Sequence, residues 1–334
     1  MKSRRVLLVS RPRGVAQAQD FAIDEAELAQ LPEGQIRVRN AFLSVEPAMR
    51  GWIADKGNYS APVEVGSVMR SLAVGEVVES RAADFRPGEF VTGWFGWQDL
   101  ADAPPSAVVR RVKETDLPLS LALGVLGING VTALIGLEAI GEPKAGDTVL
   151  VSTAAGAVGS AAGQIAKTIG CRAVGMAGGP DKVGMCRELF GYDAAIDYRA
   201  PGLSEAIGAA CPDGVNVYFD NTSGAISDAV WPHLAVRGRA VICGTAAISS
   251  WDPWPHGPRL ERYLLVKRAR AQGFVVFDYA DRWEDSVARL ADWVRAGKLR
   301  YVEDVLDGIE SCPDALAGLY RGENRGKRLI RLRS

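Results

Sequence analysis

The sequence predicts an α/β protein of two domains, in which a β-rich domain precedes a doubly wound parallel sheet. In roughly the first 120 residues, short strand-like runs are separated by Gly and Pro, as in Pro32-Glu33-Gly34 and Arg86-Pro87-Gly88. From Pro118 onward, helical and strand-like runs alternate, which is typical of a parallel sheet covered by helices. A chain of 334 residues is long enough for two such domains.

The elements are expected in a definite order. The early strands include residues 35–39, 74–79 and 89–92. The later strands are expected at 148–151, 172–176, 194–197, 215–219, 239–243 and 274–276, and the helices at 181–190, 203–210, 225–234, 259–270 and 283–295. The tail returns to a strand-like pattern at 327–332. We therefore expect the first domain at 1–120, the second at 121–299, and a return to the first at about 300–334.

The segment 148–167 carries the clearest functional signal. A buried strand is followed by a turn of small residues and then by a helix that Gly170 is expected to end. This order is that of the Rossmann dinucleotide fingerprint, with Ala in place of the first glycine. The helix N-terminus presents free N–H groups to a pyrophosphate. The contacts are expected from Ala154, Gly156, Ala157, Val158 and Gly159.

The end of the next strand favours NADP(H) over NAD(H). An enzyme that prefers NAD usually carries an acidic residue there, which binds the ribose hydroxyls. Here Gly178 and Gly179 leave open space instead, and Lys182 falls in the first turn of the following helix, where its ammonium can meet a 2′-phosphate. Tyr198 adds a hydroxyl to the same phosphate. Asp181 is interpreted as a first-turn residue that the helix dipole stabilises.

Composition excludes several other classes of protein. The net charge of −1 and the lack of a basic run give no reason to propose nucleic acid or an anionic membrane as partner. No apolar run has the length of a membrane span, and the N-terminus is interpreted as a strand rather than a signal peptide. The five scattered cysteines indicate reduced thiols of a cytoplasmic protein. The first domain has no Cys or His, so zinc chemistry is not expected, and no metal site is predicted.

Eight short motifs occur in order over nearly the whole chain. They are VEPAMRG (45–51), GINGVTA (127–133), AAGAVGS (154–160), DKV (181–183), FDN (219–221), CG (243–244), GFVV (273–276) and GENRGK (322–327). With them the chain resembles the medium-chain dehydrogenase/reductase superfamily. Specifically, it is similar to the zinc-independent branch that contains prostaglandin reductase, plant alkenal double-bond reductases and bacterial curcumin reductase.

The resemblance implies a GroES-like first domain, a Rossmann second domain and an NADPH-dependent reductase. The implied reaction reduces the C=C bond of small α,β-unsaturated ketones or aldehydes, usually in a cytoplasmic homodimer in which strand 274–277 pairs across the two-fold axis. Further cofactor contacts are implied for Thr132, Asn221, Gly244, Phe274, Val275 and Asn324. Asn324 can also be explained as a plain turn residue.

Fewer residues are predicted to contact the substrate than to contact the cofactor. Tyr59 matches a tyrosine that related reductases place beside the substrate, where it is expected to stabilise the enolate and protonate the α-carbon, unless water does so. A second position that often holds tyrosine is Trp251 here, and its indole N–H can only donate a hydrogen bond. Trp251 and Trp254 are expected to form the wall of an aromatic pocket. Arg50 either lines this pocket or forms a surface ion pair.

Two other functions remain open at this stage. One is an NADPH:quinone reductase from the sister branch, which uses the same hydride chemistry on another acceptor. The other is a non-catalytic NADPH-binding or structural protein. The expected Tyr59 and the stretch 46–51 favour the enone or enal reductase over the quinone reductase. Tight binding of the cofactor without reduction of any electrophile would favour the non-catalytic protein.

Overall fold

The computed structural model describes residues 2–55, 58–248 and 253–332. Within them the strands are β1 (Lys2–Leu8), β2 (Phe21–Glu27), β3 (Ile36–Ser44), β4 (Ala73–Ser80), β5 (Phe90–Gly93), β6 (Leu100–Ala103), β7 (Val108–Arg111), β8 (Thr148–Val151), β9 (Arg172–Ala177), β10 (Ala194–Asp197), β11 (Val215–Asp220), β12 (Leu234–Ile242), β13 (Arg270–Gly273), β14 (Glu303–Asp307) and β15 (Lys327–Arg331). The helices are α1 (Met49–Trp52), α2 (Ile128–Ile135), α3 (Ala157–Thr168), α4 (Pro180–Glu188), α5 (Leu203–Ala210), α6 (Gly224–Val230), α7 (Leu260–Lys267), α8 (Trp283–Arg295) and α9 (Cys312–Arg321).

The chain folds into two units. Unit 1 comprises Met1–Leu123 and Glu303–Ser334, and unit 2 comprises Gly124–Val302. Unit 1 contains a seven-stranded sheet in the order β14-β15-β3-β4-β5-β7, with β6 paired to β3, and a separate β1-β2 hairpin. Its core holds large apolar side chains such as Trp97, Phe95 and Met49. The C-terminal strands therefore complete the sheet that the N-terminal strands begin.

Unit 2 is built on a six-stranded parallel sheet in the order β10-β9-β8-β11-β12-β13. Strand β8 consists only of β-branched and aliphatic residues, and all four are buried. Such a strand is typical of the centre of a parallel sheet that helices cover on both faces. The predicted fold class, a GroES-like β-rich domain followed by a Rossmann doubly wound domain, is confirmed.

Several predicted elements were misplaced near the last strand of this sheet. The prediction of a strand at 274–276 is wrong, because the strand is β13 (Arg270–Gly273), and a 3-10 segment covers Val276–Arg282. The predicted helix 259–270 is too long, since Arg268 adopts a left-handed conformation with φ 50° directly after α7. The Phe274 ring stacks edge-on against Tyr279, so the apolar run at 274–277 packs as a turn.

Two further predictions needed correction. The predicted helix 225–234 ends early, because Pro232 lies in a 3-10 turn after α6, and β12 begins at Leu234. The helix 283–295 was expected to be the last one, yet α9 follows it in unit 1. The pattern of α9 was missed since Cys312-Pro313 and Gly318 interrupt the usual helix-forming composition. Both changes leave the order of the parallel strands unaltered.

Tight packing of α3 depends on a glycine inside the helix. Gly163 lies against the buried ring of Tyr192, whose hydroxyl donates to the Gly159 carbonyl over 2.6 Å. A Cβ at position 163 would lie 2.5 Å from Tyr192 Cε1, closer than two carbon atoms can approach. In α4, Gly184 occupies a comparable interior position, and its nearest neighbour for a Cβ is the Glu188 side chain at 3.9 Å. The two glycines therefore differ in packing alone.

We predict that Gly163→Ala lowers the free energy of unfolding by about 1–3 kcal/mol, because the added methyl overpacks the Tyr192 ring. The matched control Gly184→Ala should raise it by up to about 1 kcal/mol, since alanine favours a helix over glycine. Urea denaturation followed by circular dichroism measures both changes. Equal effects of the two substitutions would contradict the packing described for α3.

Candidate functional site

The turn between β8 and α3 brings main-chain groups unusually close together. Thr153 adopts φ 48°, and its carbonyl accepts the Gly156 N–H over 2.8 Å. A Cβ at Gly159 would lie 2.9 Å from the Ala154 Cα, so only glycine allows α3 to start at this distance from the turn. The predicted tight turn and close helix packing are thus geometric features of this segment.

The alanine in the first fingerprint position is accommodated by its neighbour strand. Ala154 donates its N–H to the Met176 carbonyl on β9 over 2.9 Å. A Cβ at Gly175, also on β9, would lie 2.8 Å from the Ala154 methyl. Gly175 therefore provides the space that glycine at position 154 would otherwise supply. The signal in the sequence was a glycine in the middle of a buried strand, which often marks a close approach.

The N-terminus of α3, where the sequence predicts pyrophosphate binding, has no side-chain cap. Gly156 is its N-cap in an extended conformation, and no side chain caps the helix. The first N–H groups of an α-helix have no partner within the helix, so those of Ala157, Val158 and Gly159 face outward at its positive end. Such an end binds phosphate readily.

A buried carboxylate organises the adjacent strand end. Asp220, the last residue of β11, is almost fully buried. Its Oδ1 accepts the N–H groups of Thr222 (2.9 Å) and Ser223 (2.8 Å), and also the Tyr218 hydroxyl (3.1 Å). Its Oδ2 accepts the Ser227 hydroxyl of α6 over 2.7 Å. No Lys or Arg among the described residues forms an ion pair with Asp220, so neutral donors alone stabilise its charge.

The same network fixes the loop of Asn221. The Ser152 hydroxyl, directly after β8, accepts the Asn221 N–H over 2.8 Å, and the Asn221 side-chain amide donates to the Ser152 carbonyl over 2.7 Å. A Cβ at Gly244 would lie 3.0 Å from the Asn221 carbonyl oxygen. From the sequence, Asn221 and Gly244 are predicted to contact the cofactor, whereas the roles of Ser152 and Asp220 emerge only from the structure. The cluster of small polar residues at 220–223, directly after a buried strand, was the available signal.

The end of β9 holds the residues expected to select NADP(H). Gly178 is buried, and a Cβ there would lie 2.6 Å from the Tyr198 hydroxyl. Burial raises the pKa of Tyr198, so its hydroxyl keeps its proton at neutral pH. Gly179 is the N-cap of α4 with φ 93°, and Lys182 lies half-buried in the first turn of that helix, as predicted, next to an exposed Asp181.

Unit 2 therefore brings most of the predicted cofactor residues to one edge of its sheet. The turns after β8, β9, β11 and β12 carry Ala154 to Gly159, Gly178 and Gly179, Asn221 and Gly244. In α/β sheets, ligands bind at the carboxyl ends of the parallel strands. Thr132 lies half-buried on α2, and the half-buried Phe274 and Val275 follow β13. Trp254 is 72% exposed, while Trp251 lies outside the described residues.

Unit 1 carries two of the residues predicted for the substrate, Arg50 and Tyr59, and the predicted cofactor residue Asn324. Arg50 on α1 is half-buried, and its guanidinium donates to the main-chain carbonyls of Gly14 and, over 3.4 Å, of Pro12. No carboxylate in the described part of the chain forms an ion pair with it, and burial lowers its pKa. Tyr59 is 58% exposed, in the loop after α1. Asn324 donates its side-chain amide to the Gly326 carbonyl over 2.9 Å, as a turn residue does.

A buried ion pair connects two of the motifs in this unit. The Lys327 ammonium donates to Glu46 Oε1 and to the Ser44 hydroxyl, both over 2.6 Å. Burial lowers the pKa of Lys327, and the negative charge of Glu46 opposes that effect. Because Glu46 precedes α1 and Lys327 begins β15, the pair fixes the segment of Arg50 against the last strand.

The donor set and spacing fit a dinucleotide phosphate better than a metal. The uncapped α3 N-terminus matches a pyrophosphate, and the Tyr198 hydroxyl, which lies over Gly178, matches a ribose phosphate. Across residues 2–55, 58–248 and 253–332, no three His, Cys, Asp or Glu side chains come together as metal ligands would. No helix in the same ranges is long and apolar enough to span a membrane.

Comparison with known proteins agrees with this geometry. Residues 4–110 match the family described as the N-terminal domain of oxidoreductase, and residues 157–293 match the family described as zinc-binding dehydrogenase. NADPH-dependent curcumin reductase of Escherichia coli is 39% identical, over 99% of this chain and 97% of that protein. The NADP(+)-dependent 2-alkenal reductase of Nicotiana tabacum is 35% identical over the same shares.

One solved structure is similar to this chain over almost its whole length. CurA from Vibrio vulnificus in complex with NADPH superposes with a TM-score of 0.93, at 37% identity and with 99% of each chain covered. The fold and the site thus define an oxidoreductase of the medium-chain dehydrogenase/reductase superfamily. The chain belongs to its zinc-independent branch, together with the curcumin and alkenal reductases. The predicted family and the predicted class, an NADP-dependent oxidoreductase, are confirmed.

We predict that Asp220→Asn lowers the free energy of unfolding by about 3 kcal/mol, because an amide NH₂ would face hydroxyl and N–H donors. NADPH affinity should fall as well, since the Asn221 loop loses its support. The control Ser227→Ala removes one donor only and should cost about 1 kcal/mol. Urea denaturation and fluorescence titration with NADPH measure the two effects. A cost for Asp220→Asn no larger than that of Ser227→Ala would refute the organising role of this carboxylate.

Proposed function

We propose that this protein catalyses the NADPH-dependent reduction of the C=C bond of α,β-unsaturated ketones or aldehydes. The observation that carries the proposal is the anion-binding edge of unit 2, where the open N-terminus of α3 lies beside the supported Asn221 loop. The names of the two relatives, a curcumin reductase and a 2-alkenal reductase, support the choice of a conjugated double bond. The homodimer and the cytoplasmic location implied by the resemblance remain predictions.

The cofactor residues follow from this edge. The fingerprint turn and the first N–H groups of α3 bind the pyrophosphate, and Lys182 and Tyr198 bind the 2′-phosphate. Asn221, Gly244, Thr132, Phe274 and Val275 are assigned to the nicotinamide half. Asn324 is a weaker assignment, because its amide N–H already bonds within its own turn. The reduced nicotinamide supplies a hydride to the β-carbon of the substrate.

Residues of the chain must stabilise the negative charge on the substrate and supply a proton to it. As the β-carbon is reduced, negative charge develops on the carbonyl oxygen, and a hydrogen-bond donor that is already in place stabilises it. We assign this role to the Tyr59 phenol, and either it or a water molecule gives the α-carbon its proton. Its exposure leaves the hydroxyl accessible to substrate and solvent alike. Arg50, Trp251 and Trp254 are assigned to the substrate pocket.

The proposal is tested by following NADPH oxidation at 340 nm with an enone, an enal, a 1,4-quinone and the corresponding saturated ketone, with NADH in parallel. We expect turnover of the enone and enal to saturated carbonyl products, with no alcohol formed. Turnover of the quinone with inert enones would instead indicate an NADPH:quinone reductase. Tight NADPH binding without turnover of any acceptor would indicate a non-catalytic binding protein.

Tyr59→Phe extends the same assay to the proton donor. If Tyr59 supplies the proton, kcat for the enone falls by about 100-fold or more, whereas NADPH affinity stays unchanged because the cofactor residues assigned above are intact. If water supplies it, kcat stays within a few-fold of the wild type. Tyr301→Phe, at a partly exposed tyrosine of unit 2, is the matched control.

A further inference from the structure

The side chain of Arg199 lies beside Gly178 and has no role in the function proposed above. A Cβ at Gly178 would lie 2.9 Å from Nε of Arg199, and 2.6 Å from the hydroxyl of Tyr198. A guanidinium and a phenol thus lie together over the main chain at the carboxyl end of β9. Gly178 is the residue that makes room for both.

The main chain of Arg199 is fixed by a neighbouring acid. Asp197 Oδ1, at the end of β10, accepts the N–H of Arg199 and the N–H of Gly179, each over 2.9 Å. This carboxylate oxygen therefore holds the main chain that follows β9 and the main chain that follows β10. A ribose 2′-hydroxyl needs a carboxylate as acceptor in an NAD-binding site, and here Oδ1 of Asp197 already accepts two main-chain hydrogen bonds.

The side chain of Arg199 lies near Gly178 together with the Tyr198 phenol, and Arg199 is exposed. The positive charge of the guanidinium opposes the rise that burial causes in the pKa of Tyr198. Arg199 carries five N–H donors in a planar fork, and the residue is exposed.

We propose that Arg199 is a specificity-determining residue that binds the 2′-phosphate of NADP(H) with its guanidinium fork, beside the Tyr198 hydroxyl. This inference rests on the proposed function and extends it to a residue not assigned there. A phosphomonoester dianion matches the fork, whereas a 2′-hydroxyl offers no charge to it. Lys182 adds a second cation from α4, and the exposed Asp181 of the same turn opposes it. Arg199 therefore discriminates NADPH from NADH.

Calorimetric titration of the full chain with 2′,5′-ADP and with 5′-AMP tests this role without turnover, and NADPH and NADH are titrated in the same way. Arg199→Ala should weaken 2′,5′-ADP and NADPH by about 10- to 100-fold and leave 5′-AMP and NADH unchanged. Arg199→Lys, which keeps the charge without the fork, should lie between. The control Arg187→Ala removes another exposed cation, from the last turn of α4, and should leave all four affinities unchanged.

The outcomes separate this inference from the proposed function. Unchanged binding of 2′,5′-ADP by Arg199→Ala, or an equal loss for 2′,5′-ADP and 5′-AMP, would overturn the role of Arg199 while NADPH binding by the wild type stands. A wild-type chain that binds neither NADPH nor 2′,5′-ADP would overturn the proposed function and this inference together. An unchanged thermal midpoint shows that each variant is folded.

Discussion

The buried carboxylate of Asp220 is the constraint on which the loops at the carboxyl ends of the parallel strands of unit 2 depend. A carboxylate at the end of a central strand is costly to bury, and here it is stabilised only by hydroxyl and main-chain donors. Those donors come from the loop after β11 and from α6, so satisfying the charge determines where that loop lies. Ser152 then links the loop to the end of β8, next to the fingerprint turn. One buried charge thereby positions two neighbouring loops.

In unit 1, a buried ion pair joins segments that lie far apart in the sequence. The Lys327–Glu46 pair joins a segment near the start of the chain to its last strand, and the Ser44 hydroxyl satisfies a further donor. Removing one partner of such a pair leaves an uncompensated buried charge, which is far more costly than the pair itself. The segment with Arg50 thus depends on a residue almost 280 positions later in the chain.

The sequence was sufficient for features that arise from local patterns. The fingerprint turn, the exact span of α8 and the alternation that produces a parallel sheet are all encoded in short windows. The partners in contacts between distant residues could not be predicted, even where a glycine inside a buried strand signals that some close contact exists. Phe274 packs into a turn instead of extending a strand, and Gly175 compensates for Ala154, because of neighbours that no window contains. For the same reason, Asp220 and Arg199 were missed although the adjacent Asn221 and Tyr198 were named.

The central claim is that this chain moves a hydride from NADPH to the β-carbon of a conjugated carbonyl compound. Reduction of an enone with NADPH deuterated at nicotinamide C4, in separate reactions with the 4R and 4S forms, tests it most directly. We expect one deuterium on the β-carbon of a saturated ketone, detected by NMR, from only one of the two forms. Deuterium on the carbonyl carbon of an alcohol, or no transfer from either form, would contradict the claim.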